Sequence, residues 1–443
     1  MVATSFKGGV HPEEAKDQTS GIPISDIVPP DIVVIPLSQH TGAPSRPVVE
    51  AGDEVRIGTK IGEADGFISV PVHSSVSGKV IGIESRPHPL GRRMPAVVIE
   101  NDGRDEWVDL SGHKDLTEES PQKIREAVRE AGLVGLGGAA FPTHVKISPP
   151  DGKPIDTAIL NGAECEPVLT SDHRVMLEYA GEVIQGLKII MRVVGAERGF
   201  IGIERNKPDA IRLMSEMVAG EDGIEVVALK VKYPQGAEKQ LIKALTGREV
   251  PCGGLPMDVG CLVQNVGTSL GIYEAARYGR PLVSRVVTLA GSVVKTPGNY
   301  RVRIGTQFGH VVSSSGGTTG PLAKMIMGGP MMGIAQADGD APVVKGTSGL
   351  ILLAEDEVTE PDPSACIRCG RCVDHCPMNL VPNEIVRFVE KGKLERAEQY
   401  GIMDCMECGV CAYICPSKIG HVQLMKLGKA ALWAAKRKAE QEA

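Results

Sequence analysis

The chain has 443 residues, 42% hydrophobic and 23% charged, which is room for three or four domains that each bury a core. Aromatic residues make up only 3%, so aliphatic side chains must fill those cores, and a net charge of −7 argues against a general nucleic-acid binder. No run approaches a spanning length of about 18 apolar residues, and the start "MVATSFKGGVHPEEAK" lacks the apolar centre of a signal peptide. The expectation is a cytosolic chain without a transmembrane segment, brought to a membrane only by partners.

Along the chain, residues 1–30 read as an N-terminal arm and residues 31–114 as a separate β unit. In that unit "VEAGDEVRIGTKIGE" and "SVPVHSSVSGKVIGIE" alternate apolar and polar residues between Gly-Asp and Ser-Gly turns. The pattern resembles the barrel-sandwich fold of lipoyl- and biotin-carrying domains. The carrier lysine of that family would project near Ile68–Pro71, where this chain has "ISVP". With no lysine there, the unit is expected to be a scaffold, and His73 and His88 to be surface or turn residues.

Residues 115–285 alternate helix and strand, as in an α/β sandwich. "SPQKIREAVREA" places Ser120 to cap, Pro121 at the first helical position, and Ile124, Ala127, Val128 and Ala131 on one face. Gly132 then stands where a helix stops. In "GLVGLGGAAFP", Gly135, Gly137 and Ala140 meet the dinucleotide spacing G-x-G-x-x-G/A. A Rossmann loop needs a strand before the glycines and a helix after them. Here a helix leads in and Pro142 follows, so the loop is of another kind.

Further on, "PIDTAILNGAE" reads as a strand, "MLEYAGEVIQGLKIIMRVV" as a helix, "GFIGIE" as a strand and "PDAIRLMSEMVAG" as a helix. "IEVVALKV" reads as a strand and "AEKQLIKALTG" as a helix. Residues 286–353 have strand composition with turns at Gly291 and Pro297-Gly298. The acidic 354–365 reads as a linker into a helical module over 366–443, whose tail is a basic amphipathic helix.

Eight of the eleven cysteines crowd into 366–415. In a chain without an export signal that pattern points to metal rather than disulfides. "CIRCGRCVDHCP" and "CMECGVCAYICP" are both C-x2-C-x2-C-x3-C-P, the ferredoxin run for [4Fe–4S] clusters, in which the fourth cysteine serves the other cluster. One cluster should take Cys366, Cys369, Cys372 and Cys415, and the other Cys405, Cys408, Cys411 and Cys376. Gly370 and Gly409 should ease the turns, and each fourth cysteine should start a helix. The alternative, two zinc sites, fits this spacing poorly. The insert 377–404, with "EIVRFVEKGKLERAEQ", reads as helical.

Several stretches together resemble a known family. "GLGGAAFPTHVK" is similar to the glycine-rich flavin loop of the 51-kDa NADH-binding subunit of respiratory complex I, G-R-G-G-A-G-F-P-T-G-x-K. "NGAECEP" resembles its N-A-D-E-G-E-P, and "VQNVGTS" its V-N-N-V-E-T. "LAGSVVKTPGNYRV" resembles the β-grasp (SLBB) segment that follows. With "FKGGVHPEEAK", the barrel unit and two cysteine runs, the layout resembles the RnfC family of Rnf electron-transport complexes over essentially the whole chain.

The resemblance implies a barrel-sandwich domain, a 51-kDa-like α/β domain, a β-grasp domain and a two-cluster ferredoxin-like domain. It implies FMN, two [4Fe–4S] clusters and NAD(H). Gly135, Gly137 and Gly138 would let backbone approach the flavin, and Lys146 would meet its phosphate. Asn161, Glu164, Asn265 and Thr268 would bond the flavin, Phe141 would stack on adenine, and Glu166 would contact the nucleotide as the catalytic candidate. The family's nucleotide-contacting glutamate is not matched in "FIGIERNKP": Asn206 stands at its place and Glu204 is nearby. Leu136 replaces an arginine of the family loop, and Ala163 replaces an aspartate that normally binds flavin. Cys165, Cys252 and Cys261 match no motif and are taken as structural, and "GGPMMG" (328–333) as packing between modules.

The implied function is hydride exchange between NADH and FMN, followed by one-electron relay through the clusters. The implied partners are membrane and iron–sulfur subunits of the Rnf complex and, indirectly, ferredoxin, at the cytoplasmic face of the membrane. Other subunits would carry Na+ or H+. Two alternatives stand: the related cobalamin reductase of propanediol utilisation, and an electron-transfer adaptor without NADH activity.

Overall fold

The computed structural model describes residues 5–358 and 362–442, the last three of these as backbone only. Residues 1–4 of the arm and 359–361 of the expected linker lie outside the described residues.

The β unit is built from two facing sheets. One is antiparallel, in the order Ile32–Pro36, Arg92–Asn101, Gly78–His88 and Glu54–Val55; the other comprises Arg46–Pro47, Lys60–Glu63 and Val72–His73. Alternation sends every second residue inward: Val33 lies opposite Ile99 and Ile35 opposite Val97, and these four join Val55, Ile61, Val72 and Val80 in one core. His73 and His88 are not at the surface, being 6% and 5% exposed. His88 Nε2 pairs with the Ser38 carbonyl at 2.9 Å, while His73 lies against Gly132 of the next domain. Domain packing buries His73, and alternation within one unit carries no sign of it.

The central domain holds a four-stranded, all-parallel sheet: Ile224–Leu229, Arg198–Glu204, Thr157–Gly162, Cys261–Asn265. Both faces are covered, which explains strands that read as continuous apolar runs. Ala158, Leu160, Ile201 and Leu262 pack with helices Pro121–Glu130, Ala180–Val194 and Val266–Tyr278. Ile159, Phe200 and Val263 pack with Glu238–Thr246 on the other side. The single helix expected through "MLEYAGEVIQGLKIIMRVV" is two, Ser171–Glu178 and Ala180–Val194, broken at Tyr179 with φ −129°. The apolar spacing continues through the break, so periodicity cannot detect it.

The third unit is a mixed six-stranded sheet ordered Ser25–Asp26, Gly298–Arg303, Ser284–Ala290, Gly349–Leu353, Lys324–Met327, Ile334–Gln336. Its first edge strand comes from the N-terminal segment, which is woven into the fold rather than trailing from it. In the cysteine-rich module the insert is also two helices, Pro382–Glu390 and Leu394–Gln399, separated at Gly392 with φ +65°. They pack Ile385, Val386, Val389 and Ala397 against Met425 and Leu432 of the terminal helix His421–Glu442.

Candidate functional site

The sheet order, numbered along the chain, is 3-2-1-4. Strands one and four are neighbours whose connections leave in opposite directions, so a crevice opens at their carboxyl ends. Those ends carry Asn161 and Asn265, which face each other in register. The glycine loop closes over this crevice. The Gly135 N–H donates to the Phe141 carbonyl at 2.8 Å, Val134 bridges Pro142, and the Leu136 N–H donates to Thr268 Oγ1 at 2.9 Å. Gly137 and Gly138 are exposed. A Cβ on Gly137 would stand 3.3 Å from Asn265 Cβ, and Gly138 adopts φ +138°. The helix Pro121–Glu130 leads in, and Gly132, at φ +65°, ends it.

The polar side chains expected at the cofactor are engaged in holding this frame. Asn265 Oδ1 accepts the Gly267 and Thr268 N–H groups at 2.8 and 3.3 Å, capping its helix, and its Nδ2 donates to Asp172 at 2.6 Å. Thr268 is fully buried behind Leu136. Asn161 Nδ2 donates to the Gly236 carbonyl at 2.7 Å. Glu164 accepts the Asp172 and His173 N–H groups at the start of Ser171–Glu178. Lys146 pairs with Glu238 at 2.5 Å. Phe141 is half-buried in the loop.

The other two acidic candidates lie apart from the loop. Glu166 accepts the Met331 and Met332 N–H groups at 3.0 and 2.9 Å, so "GGPMMG" latches onto it, and burial pushes its carboxyl up to about 7. Glu204 accepts the Lys232 N–H at 3.0 Å and is raised to about 7 by burial, opposed by the Lys207 charge. It lines a cleft under the N-terminal segment with His11, Lys16, Cys165, Asn206 and Tyr233.

Sequence reasoning missed four contributors. Lys16 Nζ donates to the carbonyls of Glu164, Glu166 and Leu169. Asp172 holds Asn265, and Arg285 reaches the loop from the six-stranded sheet. The segment Tyr233–Gly236 wraps Asn161; its "YPQG" turn composition was the one available signal. The crevice suits FMN in that Gly137 and Gly138 leave room for close backbone approach. Gln235, next to Gly236, and Gln264, next to Asn265, are buried with amide nitrogens lacking a partner among the described residues.

The cysteines fall into two groups of four. Cys376, Cys405, Cys408 and Cys411 line one cavity, and Cys366, Cys369, Cys372 and Cys415 line another. Among the described residues no group of three or more His, Cys, Asp or Glu is arranged for a single metal ion. Four thiols lining one space suit a cluster. Gly370 and Gly409 sit at φ +75° and +81°. One expectation is corrected: the short helices Arg371–Asp374 and Val410–Tyr413 end before Cys376 and Cys415, so each fourth cysteine follows a helix. The third cysteine already occupies the helix, and the turn after it swings the fourth to the other cavity.

The two cavities differ in surroundings. Tyr233 Oη donates to the Cys408 carbonyl at 2.7 Å and Gln240 Nε2 to the Pro377 carbonyl at 3.0 Å. Cys252 donates to Asp404 at 2.6 Å. The Gly9 N–H donates to the His375 carbonyl at 2.8 Å. The first cavity is therefore clamped to the parallel-sheet domain. The second is rimmed by exposed Cys366 and Cys369, with Ile367 67% exposed between them.

A flavin-type crevice joined to paired four-cysteine cavities defines an oxidoreductase of the flavin and iron–sulfur class. Family models agree in order along the chain. They are the RnfC barrel sandwich hybrid domain over residues 4–104, the Nuo51 FMN-binding domain over 128–274, the SLBB domain over 286–335 and the 4Fe-4S dicluster domain over 365–419. The chain is 48% identical to the C component of the proton-translocating ferredoxin:NAD(+) oxidoreductase complex of Clostridium ljungdahlii, covering 90% of this chain and 88% of that one. It is 47% identical to the Na(+)-translocating counterpart of Acetobacterium woodii, over 98% of each. To the C component of an ion-translocating oxidoreductase complex of Pseudomonas aeruginosa it is 40% identical, over 96% of this chain and 55% of that one. The chain belongs to the RnfC family, the C components of ion-translocating ferredoxin:NAD+ oxidoreductase complexes.

Proposed function

We propose that this chain is the NAD(H)-handling subunit of such a complex, bound at the cytoplasmic face of a membrane, passing electrons between NADH and its partner subunits. The observation that carries the proposal is the clamp at Tyr233, which joins the crevice domain to the Cys376/Cys405/Cys408/Cys411 cavity while the other cavity faces outward. Bound FMN supplies the exchange between two-electron and one-electron chemistry, and the clusters supply one-electron transfer.

The chain's own residues position and insulate. Gly135, Gly137 and Gly138 let backbone N–H groups approach the flavin. Lys146, poised on Glu238, presents a point charge to its phosphate. Asn161 and Asn265 are locked in orientation by Gly236 and Asp172, so little order remains to be gained when they meet the ligand. Glu166, with a carboxyl near neutrality, can hold or release a proton beside the nucleotide at physiological pH. Phe141 offers a ring face for adenine, and Glu204 is the remaining candidate for the nucleotide. Tyr233 packs with Val10, Cys408 and Val410, and Met331 lies against them, in an apolar cluster that joins the crevice domain to the inner cavity. Cys376, Cys405, Cys408 and Cys411 hold the inner cluster, and Cys366, Cys369, Cys372 and Cys415 the outer, partner-facing one. No helix among the described residues is long and apolar enough to cross a membrane, and the ion path, for Na+ or H+, is assigned to other subunits.

An anaerobic NADH titration of the reconstituted chain, followed by absorbance and EPR, tests this reading. Flavin bleaching followed by cluster reduction is expected. Intact clusters beside unbound or unreactive flavin would leave only an electron-transfer adaptor.

A further inference from the structure

Position 136 carries leucine and position 163 alanine where the similar flavin loops carry arginine and aspartate, so the crevice lacks a cation and a carboxylate from its own motifs. The fold brings one of each from elsewhere. Arg285, in the strand Ser284–Ala290 of the six-stranded sheet, is only 6% exposed. Its Nη2 donates to the Leu136 carbonyl at 3.1 Å and its Nε to the Thr347 carbonyl at 3.2 Å. A Cβ on Gly267 would lie 3.7 Å from its Nη1, so the guanidinium sits between the glycine loop and the first turn of Val266–Tyr278. Asp172, half-buried, holds Asn265 Nδ2 from the other side at 2.6 Å; burial and the Glu164 charge raise its carboxyl to about 7, and the Arg285 charge opposes that rise.

A buried guanidinium beside a helix N-terminus is unfavourable by itself, because the helix end is already positive. Asp172 offsets part of that cost, yet a well-packed apolar pair would be as stable or more so. The arrangement makes sense when an anion binds above it. FMN brings a phosphate, and its reduced ring carries negative charge.

We propose that Arg285 is a positioning residue of the flavin site: it holds the glycine loop through the Leu136 carbonyl and supplies from below the positive charge that the loop's own sequence lacks. The proposal rests on the reading of the crevice as an FMN site.

The test uses the full chain, reconstituted with clusters and titrated anaerobically with FMN, affinity being read from quenching of flavin fluorescence. R285Q should bind FMN about tenfold or more weakly with iron and sulfide content unchanged, and R285K, which keeps the charge without the planar fork, should fall between. A role in packing alone predicts that R285K binds no better than R285Q. Wild-type affinity in R285Q overturns the proposal, as does R285K binding no tighter than R285Q. Should R285Q fail to fold, R285K decides alone: about threefold weaker binding supports the proposal, and wild-type affinity overturns it. A wild-type chain that binds no FMN overturns the flavin reading and this proposal with it.

Discussion

Lys16 shows how much one side chain can hold. Its ammonium satisfies three carbonyls of the loop 164–169 from 148 or more residues away, with Glu164 close enough to favour its charge against burial. Lys16→Met should leave those acceptors unpaired and lower stability by about 3 kcal/mol, measured by urea unfolding, and should loosen FMN retention. A change below about 0.5 kcal/mol, the usual size for a neutral surface substitution, would remove Lys16 from the frame. Glu166 makes a pH prediction. Its folded carboxyl is raised from 4.5 to about 7, so between those values the native state holds a proton that the unfolded state has lost. Stability from this group is therefore full below about pH 4.5 and lost as pH rises towards 7. Thermal melting across that window should slope downward in the wild type and less so in E166Q; parallel slopes would contradict it. At this scale the sequence named Asn265, Thr268 and Glu164 as ligand contacts, and the structure spends much of their bonding capacity on helix ends and the loop. Motif matching finds which residues surround a crevice but not how their hydrogen bonds are divided.

Among the elements, the close crossing of Ala180–Val194 and Val266–Tyr278 depends on Gly186, where a Cβ would come within 2.0 Å of the Ser269 carbonyl. Gly186→Leu should cost at least about 1–3 kcal/mol by overpacking, read as a lowered melting temperature; unchanged melting would mean the helices can part freely. The turn Tyr233–Gly236 joins crevice to cavity. Tyr233→Phe removes the bond to the Cys408 carbonyl and should slow NADH-driven cluster reduction in stopped-flow while flavin content stays normal. An unaltered rate would place the electron path elsewhere. Strands and helices of the central domain were legible from apolar spacing, because each is buried along a regular face. The breaks at Tyr179 and Gly392 were not, since the spacing runs on through them and only the direction of packing changes.

For the whole molecule, the proposed order is NADH, crevice, inner cavity, outer cavity, partner. Cys411→Ser should abolish NADH-driven reduction of both clusters. Cys369→Ser, at the exposed cavity, should leave the inner cluster reducible by NADH while halting transfer to an external acceptor. EPR of the two variants separates these outcomes, and the reverse pattern would invert the order. The N-terminal segment ties this path together: it bridges Tyr233 through Val10, meets the cluster module at His375 through Gly9, and adds the edge strand Ser25–Asp26 to the six-stranded sheet.

By itself the sequence determined the modules, their order and the grouping of cysteines, because those depend on local periodicity, turn residues and fixed spacings along one stretch of chain. It also marked the glycine loop as something other than a Rossmann turn, since the preceding helix is visible in its own residues. Tertiary structure alone decided which cavity faces the crevice, why His73 is buried, and how Lys16 reaches the loop 164–169, Asp172 reaches Asn265 and Arg285 reaches the glycine loop, each far from its partner in sequence. Those outcomes depend on which surfaces meet, and the desolvation and pairing of charge there are properties of the contact rather than of any one segment.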